Sequence, residues 1–233
     1  MLLTVYTVLV SLWHAEFLVI GSYTHAYCLN LGIPFVFSLS ISVLFSSLIG
    51  TLLAIPALRV TGIYLAVATL AFSIIVEQIL SHWVSVTGGY RGMLVPAPSI
   101  GNLSLKSHTT FYLICLDFFS SSVLIGLNIL RSPVGRAMTA VRDSEISAQS
   151  MGINLAQTKT IAFAISAGFT GLAGGLLAHK IGYLAPDSFN LLISIQLLLM
   201  VVVGGLGSLH GAIYGAIFIG FLFYLAGLLL FYS

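Results

Sequence analysis

Long apolar runs constrain the fold of this chain more than any other feature. Several of them reach the roughly 20 residues that a helix needs to cross about 30 Å of hydrocarbon. Only 6% of the 233 residues are charged and 59% are hydrophobic, whereas about 25% of a globular protein is charged. The runs are unbroken and do not alternate as barrel strands do. The sequence therefore predicts an all-α, polytopic integral membrane helix bundle.

Breaks at glycine, proline and polar residues divide the chain into about six to eight transmembrane segments within one domain, 1–233. The run before GGLGSLHG has about 13 residues, or roughly 20 Å of helix, and is short for a span. This predicts a broken or re-entrant helix near 188–211. The predicted apolar segments are Leu2–Leu29, Pro34–Ile55, Ile63–Trp83, Phe111–Leu130, Thr160–His179, Leu191–Val203 and Ala212–Tyr232.

Acidic residues occur inside some of these segments. Groups of this kind are costly at membrane depth and usually face protein or water. Glu16 and Asp117 are therefore candidates for inward-facing positions, and Glu16 for the lining of a pathway. The alternative for the first segment is two partial spans around a break at SLWHAEF. Glu77 lies near the end of its segment, where it is expected to reach the interface.

The segment from Arg131 to Lys159, here called the polar island, is the only long hydrophilic stretch. It holds six of the fourteen formal charges, so it cannot sit in lipid. Ser132-Pro133 predicts the start of one helix. Asp143 or Ser144 predicts the start of a second, short helix that Gly152 ends. Two stop signals so close together predict a small exposed helix and not a plain connector.

The distribution of basic residues predicts which side of the membrane carries the polar island. Cytoplasmic loops are enriched in Lys and Arg. The polar island and the loop from Pro56 to Gly62 together hold five cations, and the opposite side holds three. This favours a cytoplasmic island.

Small residues recur every fourth position in two of the later segments. Ala167, Gly171 and Gly175 form one series, and Gly207, Gly211 and Gly215 the other. This spacing lets helix backbones approach closely in lipid. Tight helix packing is predicted, with Gly171, Gly175, Gly207 and Gly211 near a translocation path. The alternative interpretation of the glycine break is backbone exposed to a cavity.

The motifs of catalysis and nucleotide binding are absent from the sequence. It contains no HExxH, GxSxG, CxxC or GxxxxGK[ST], and we predict no catalytic residue, cofactor or metal site. The cations are scattered over the loops, so no nucleic-acid partner is predicted. Any energy from a nucleotide has to come from a partner chain.

Several stretches together resemble the permease subunit of the bacterial ABC importers for branched-chain amino acids, LivM type. They follow the family's order and cover most of the chain from Ser11 onward. The matching stretches are Ser11–Thr24, Pro56–Phe72, Thr87–Met93, Arg131–Asn154, YLAPDSF and GGLGSLHGAIYGA. The resemblance implies one further apolar span before Ser11, so we expect either a truncated start or a reduced subunit.

The resemblance also implies a function and partners. The chain would be a multi-pass subunit in the bacterial inner membrane, importing branched-chain or other hydrophobic amino acids. Its partners would be two cytoplasmic ATPases, a second homologous permease and a periplasmic or extracellular substrate-binding protein. The polar island would be a cytoplasmic coupling loop (131–159). Its coupling residues would be Arg142, Asp143, Glu145, Ala148 and Gly152.

Two other functions stay open at this point. Related permeases share the architecture, so urea or a short amide is an alternative substrate. A channel or secondary carrier that works without nucleotide is an alternative of another class, in which Glu16, Glu77 and Asp117 would be proton or ion sites.

Overall fold

Helices account for most of the computed structural model, which describes residues 14–57, 63–100, 103–104, 108–186, 191–205 and 209–231. The predicted all-α fold class is confirmed. The helices are α1 (His14–Asn30), α2 (Phe35–Ala57), α3 (Ile63–His82), α4 (Val84–Thr87), α5 (His108–Arg131), α6 (Pro133–Asp143), α7 (Glu145–Ser150), α8 (Leu155–Ile181), α9 (Leu191–Gly204) and α10 (Leu209–Phe231).

Three of the described helices are long and apolar enough to cross a membrane, namely Phe35–Pro56, His108–Arg131 and Leu155–Ile181. A fourth span is possible if the pair Leu70–His82 and Val84–Arg91, bent by 76°, counts as one. Near the C-terminus, α9 has 14 residues, whereas α10 has 23. The chain is therefore a multi-pass membrane protein.

Among the described residues, four two-residue strands lie in the loops. They are β1 (Met93–Leu94), β2 (Ser99–Ile100), β3 (Leu103–Ser104) and β4 (Tyr183–Leu184). β1 pairs antiparallel with β4, and β2 with β3. The first pairing joins the loop after α3 to the end of α8. Tyr23 on α1 also donates a hydrogen bond to the Leu184 carbonyl at 3.2 Å.

The most tightly packed group of helices consists of α1, α2 and α8. A Cβ placed on Gly175 would meet Leu39, whereas one placed on Gly50 would meet Ala167. Positions early in α2 therefore face positions late in α8, and the two helices run antiparallel. The end of the bundle where α8 begins, beside α6 and α7, is called the island end below. The opposite end is called the far end.

The last two helices, α9 and α10, form a second close pair. A Cβ on Gly215 would lie 2.7 Å from the Gly204 backbone nitrogen, so the two backbones touch. Gly205 follows α9 with φ +100°, where a side chain would be strained. In its described part, the predicted broken or re-entrant helix near 188–211 consists of α9, Gly205 and the start of α10. Residues 188–190 and 206–208 lie outside the described residues.

The first predicted segment needs one adjustment. Its residues before His14 lie outside the described part of the chain. From His14 onward α1 is continuous to Asn30. The polar residues of SLWHAEF therefore cause no break in the helix between His14 and Phe17. Glu16 is instead accommodated within the helix.

Candidate functional site

The polar island folds as three helix starts, each with its own side-chain cap. The Ser132 hydroxyl accepts a hydrogen bond from the Gly135 amide at 3.3 Å, at the start of α6. The Ser144 hydroxyl accepts one from the Ser147 amide at 3.2 Å, at the start of α7. Caps of this kind satisfy amides that a helix leaves unpaired at its N-terminus. The structure confirms the helix starts that the sequence predicts at Ser132 and Ser144.

The short helix α7 ends as abruptly as it begins. Gly152 has φ +82°, a left-handed conformation that favours glycine after a helix. Asn154 then caps α8, with its Oδ1 atom accepting a hydrogen bond from the Gln157 amide at 3.2 Å. Six residues of helix are thus held between two tight turns, and α7 projects as a defined unit.

The side chains in and next to α7 differ sharply in exposure. Ala148 is buried at 2% exposure, whereas Ile146 and Met151 are each 81% exposed. Met138 and Val141 on the neighbouring α6 are also buried. The island therefore exposes two large apolar side chains, one in α7 and one directly after it.

Two ion pairs accompany α7. Arg142 Nε lies 2.9 Å from Asp143 Oδ1. Lys159 Nζ lies 2.7 Å from Glu145 Oε1 and links α8 to α7. All five residues that the family resemblance assigns to coupling lie in this short helix or beside it. They are Arg142, Asp143, Glu145, Ala148 and Gly152.

The predicted packing glycines lie at two separate contacts. Gly171 and Gly175 are buried in α8 against α2, and Cβ atoms there would lie 2.6 Å from the Ser46 Cβ and from Leu39 Cδ2. Gly211 is buried in α10. Gly207 lies outside the described residues.

Buried serine hydroxyls reinforce the α1, α2 and α8 group, a feature that the sequence analysis missed. Ser38, Ser42 and Ser46 are fully buried at every fourth position of α2. The Ser42 hydroxyl reaches the carbonyls of Gly21 at 2.9 Å and Gly171 at 3.1 Å. Their spacing of four along an otherwise apolar helix is a sequence signal that would have identified this face.

A pair of histidines joins the same helices at the far end. The Nε2 atoms of His25 and His179 lie 2.8 Å apart, and Ser38 Oγ lies 2.8 Å from His25 Nδ1. One proton can occupy the N–H···N bond, so one ring donates there and the other accepts. These residues are 154 positions apart in the chain, and no local pattern relates them.

The acidic residues in the apolar segments take three different positions. Glu16 is 5% exposed and accepts a hydrogen bond from the Ser73 hydroxyl through Oε1. Asp117 is exposed on α5, so its prediction as an inward-facing residue is wrong within this chain. The reason is that α5 buries so little of its surface here that most of its side chains point outward. Glu77 is exposed near the end of α3, as expected for a side chain that reaches the interface.

A cavity of about 380 Å³ lies beside the packed group, between α1, α5, α8, α9 and α10. Most of its lining is apolar, including Phe119, Phe169 and Leu197. Glu16 does not line it, whereas His14 does. Among the described residues there is no group of three or more His, Cys, Asp or Glu side chains that could hold a metal ion. The cavity is thus suited to an apolar occupant.

Comparison with known proteins identifies the family. The family model described as "Branched-chain amino acid transport system / permease component" matches residues 1–231. The chain belongs to this permease family. It is 35% identical to the high-affinity branched-chain amino acid transport system permease protein LivM of Salmonella typhimurium and of Escherichia coli, over 90% of this chain and 55% of those proteins.

More distant permeases are similar as well. The probable branched-chain amino acid transport permease protein LivH of Methanocaldococcus jannaschii is 28% identical over 88% of this chain and 67% of that protein. The chain spans little more than half the length of the LivM relatives. No solved structure matches it.

Proposed function

We propose that this chain is a membrane subunit of an ATP-driven importer in the bacterial inner membrane that carries branched-chain or other hydrophobic amino acids. The observation that carries the proposal is α7, a capped helix with Ile146 and Met151 exposed at 81% each. The LivM relatives, at 35% identity, are branched-chain amino acid transport permeases, which supports the substrate class.

The proposal requires ATPase subunits separate from this chain. The sequence has no phosphate-binding loop of the GxxxxGK[ST] type, so two cytoplasmic ATPases would supply the energy. A second homologous permease and a substrate-binding protein outside the membrane would complete the assembly. α7 is the surface that the ATPases would bind.

Coupling would begin with the two exposed apolar side chains of α7. Ile146 and Met151 would enter a groove on the ATPase, because burying them there removes apolar surface from water. Arg142, Asp143 and Glu145 would surround this contact with charge and fix its orientation. Ala148 would seat the helix, and Gly152 would hold the tight turn that follows it.

Movement would pass from α7 to the bundle through α8. Lys159 ties α8 to Glu145 at 2.7 Å, and α8 is buried against α1 and α2 through its glycines. ATP-driven closure of the ATPases would shift α7 and α8 together. The bundle would then alternate between states open to either side of the membrane.

The test is uptake of labelled leucine into proteoliposomes that contain this chain, a second permease, both ATPases and loaded binding protein. The double substitution Ile146→Ala with Met151→Ala should lower ATP-driven uptake at least about tenfold, since a buried anchor residue is worth about 2 kcal/mol or more. Ile181→Ala is the matched control, because Ile181 is a similar exposed side chain at the far end. It should leave uptake within about twofold.

Two results would contradict the proposal. If uptake survives Glu145→Gln and Gly152→Val untouched, the coupling role is wrong. If the purified chain alone carries solute across liposomes without ATPases, the protein is a channel or carrier. Labelled urea in parallel samples distinguishes an importer of short amides from one of amino acids.

A further inference from the structure

We propose that the cavity between α1, α5, α8, α9 and α10 receives the aliphatic side chain of the amino acid during transport and thereby selects among substrates by size. This inference rests on the proposed function and deepens it, because it assigns selectivity to a pocket within one permease subunit.

The lining of the cavity fits an uncharged, branched side chain. Its described residues include no Asp, Glu, Lys or Arg, and His14 is the single titratable residue among them. A charged side chain would lose its hydration there without gaining a partner, at a cost of several kcal/mol. Each methylene of an aliphatic side chain would instead gain about 0.8 kcal/mol on burial.

The size of the cavity points to a small ligand. Its volume of about 380 Å³ lies at the lower end of the roughly 300–1,000 Å³ range of ligand pockets. Ala173 and Ala216 line it and are themselves exposed, so it opens on the surface of the chain. The side chain would enter through this opening. The charged amino and carboxylate groups would stay at the mouth, which the second permease of the proposed assembly would have to cover, because charge exposed to lipid is costly.

The depth of the cavity also suits a transported solute. Phe169 lies 12 residues before the end of α8 and 14 residues after its start, or roughly 18 Å and 21 Å along the helix. The cavity is therefore near the middle of the bundle. Transporters commonly bind their substrates at this level.

A size series of substrates tests the inference. Ala173→Leu adds three carbon atoms to the cavity wall, and Ala71→Leu is the control, since Ala71 is an exposed alanine on α3 outside the lining. Uptake is measured with saturating loaded binding protein. Ala173→Leu should lower leucine uptake about tenfold or more and alanine uptake less than twofold. The reason is that one methylene in a hydrophobic pocket changes the preference between substrates by about 10-fold to 200-fold. Ala71→Leu should change neither rate.

Photo-reactive leucine gives a readout that does not depend on transport rate. In the complete assembly it should label Phe119 or Ser166, and Ala173→Leu should reduce that labelling at least fivefold. Equal loss of leucine and alanine uptake in Ala173→Leu, or unchanged uptake of both, would overturn the inference. So would labelling by a photo-reactive lipid and none by photo-leucine, because the cavity would then hold an acyl chain.

ATP hydrolysis stimulated by loaded binding protein separates this inference from the proposed function. If the unsubstituted assembly shows no stimulated hydrolysis and no uptake, the importer proposal fails. If hydrolysis and uptake are normal but Ala173→Leu shows no size dependence, only the cavity inference fails.

Discussion

The two sides of α8 differ in how they meet their neighbours. Toward α1 and α2, glycines and serines bring backbones into direct contact, and Gly171, Gly174 and Gly175 are among the residues that α8 buries. Toward the cavity, α5 buries a single residue, Gly126, in 24 positions. Membrane helices associate through close packing and interhelical hydrogen bonds. The first side is therefore built as one rigid unit, whereas the second leaves room for a ligand.

The largest expected effect comes from filling a glycine contact on the packed side. A Cβ on Gly174 would lie 2.9 Å from the backbone carbon of Leu18, and backbone cannot rotate away. We expect Gly174→Leu to destabilise the bundle by about 3 kcal/mol or more. The measurement is the yield and thermal midpoint of monodisperse protein in detergent. Gly220→Leu, at a position with open space, should behave like the unsubstituted protein.

The hydrogen bonds on the packed side should contribute less than its glycines. Ser42→Ala removes the contacts to the carbonyls of Gly21 and Gly171, and we expect a loss of about 1 kcal/mol. Ser40→Ala is the matched control, because Ser40 is exposed on the same helix and bonds only within it. Equal thermal midpoints for the two variants would contradict the contribution assigned to Ser42.

A substitution on the cavity side should be milder still. Val123 lines the cavity and is partly exposed, so truncating it creates little new empty space. We expect Val123→Ala to cost less than about 1 kcal/mol, below the range for a fully packed residue. Val76→Ala in the buried core provides the comparison and should cost more. A Val123→Ala loss equal to that of Val76→Ala would mean that the cavity wall is as tightly packed as the core.

The smallest effect is expected at the island end, where the link between α7 and α8 is electrostatic. Lys159 and Glu145 form an ion pair whose side chains are 19% and 52% exposed. We expect Lys159→Gln to change stability by no more than about 0.5 kcal/mol. Thermal midpoints at low and high salt provide the check, because salt should remove any difference. A large difference that persists in high salt would indicate a packing role for Lys159.

Local features of the polar island were predictable from the sequence. The capping side chains of Ser132, Ser144 and Asn154 each bond an amide three residues further along the chain. The signal for each helix start therefore lies in neighbouring residues of the sequence. The apolar runs likewise indicated the helices, because the thickness of the membrane fixes their length. Element type and order followed from these short-range rules.

Contacts between distant segments were not predictable in the same way. The His25–His179 pair and the cavity both depend on how helices cross, which hydrophobicity alone does not determine. Asp117 shows the limit most clearly. Its charge suggested an inward position, but α5 is so lightly packed that the side chain is exposed.

The unbroken course of α8 has a mechanical consequence. From Leu155 to Ile181 it forms one rod of 27 residues, about 40 Å long. Because α8 is packed tightly against α1 and α2 near Gly171, the three helices would tilt together. A tilt of about 10° about that level would swing the Leu155 end by about 4 Å and the Ile181 end by roughly 3 Å in the opposite direction. A small displacement beside α7 would thereby reach His179 at the far end.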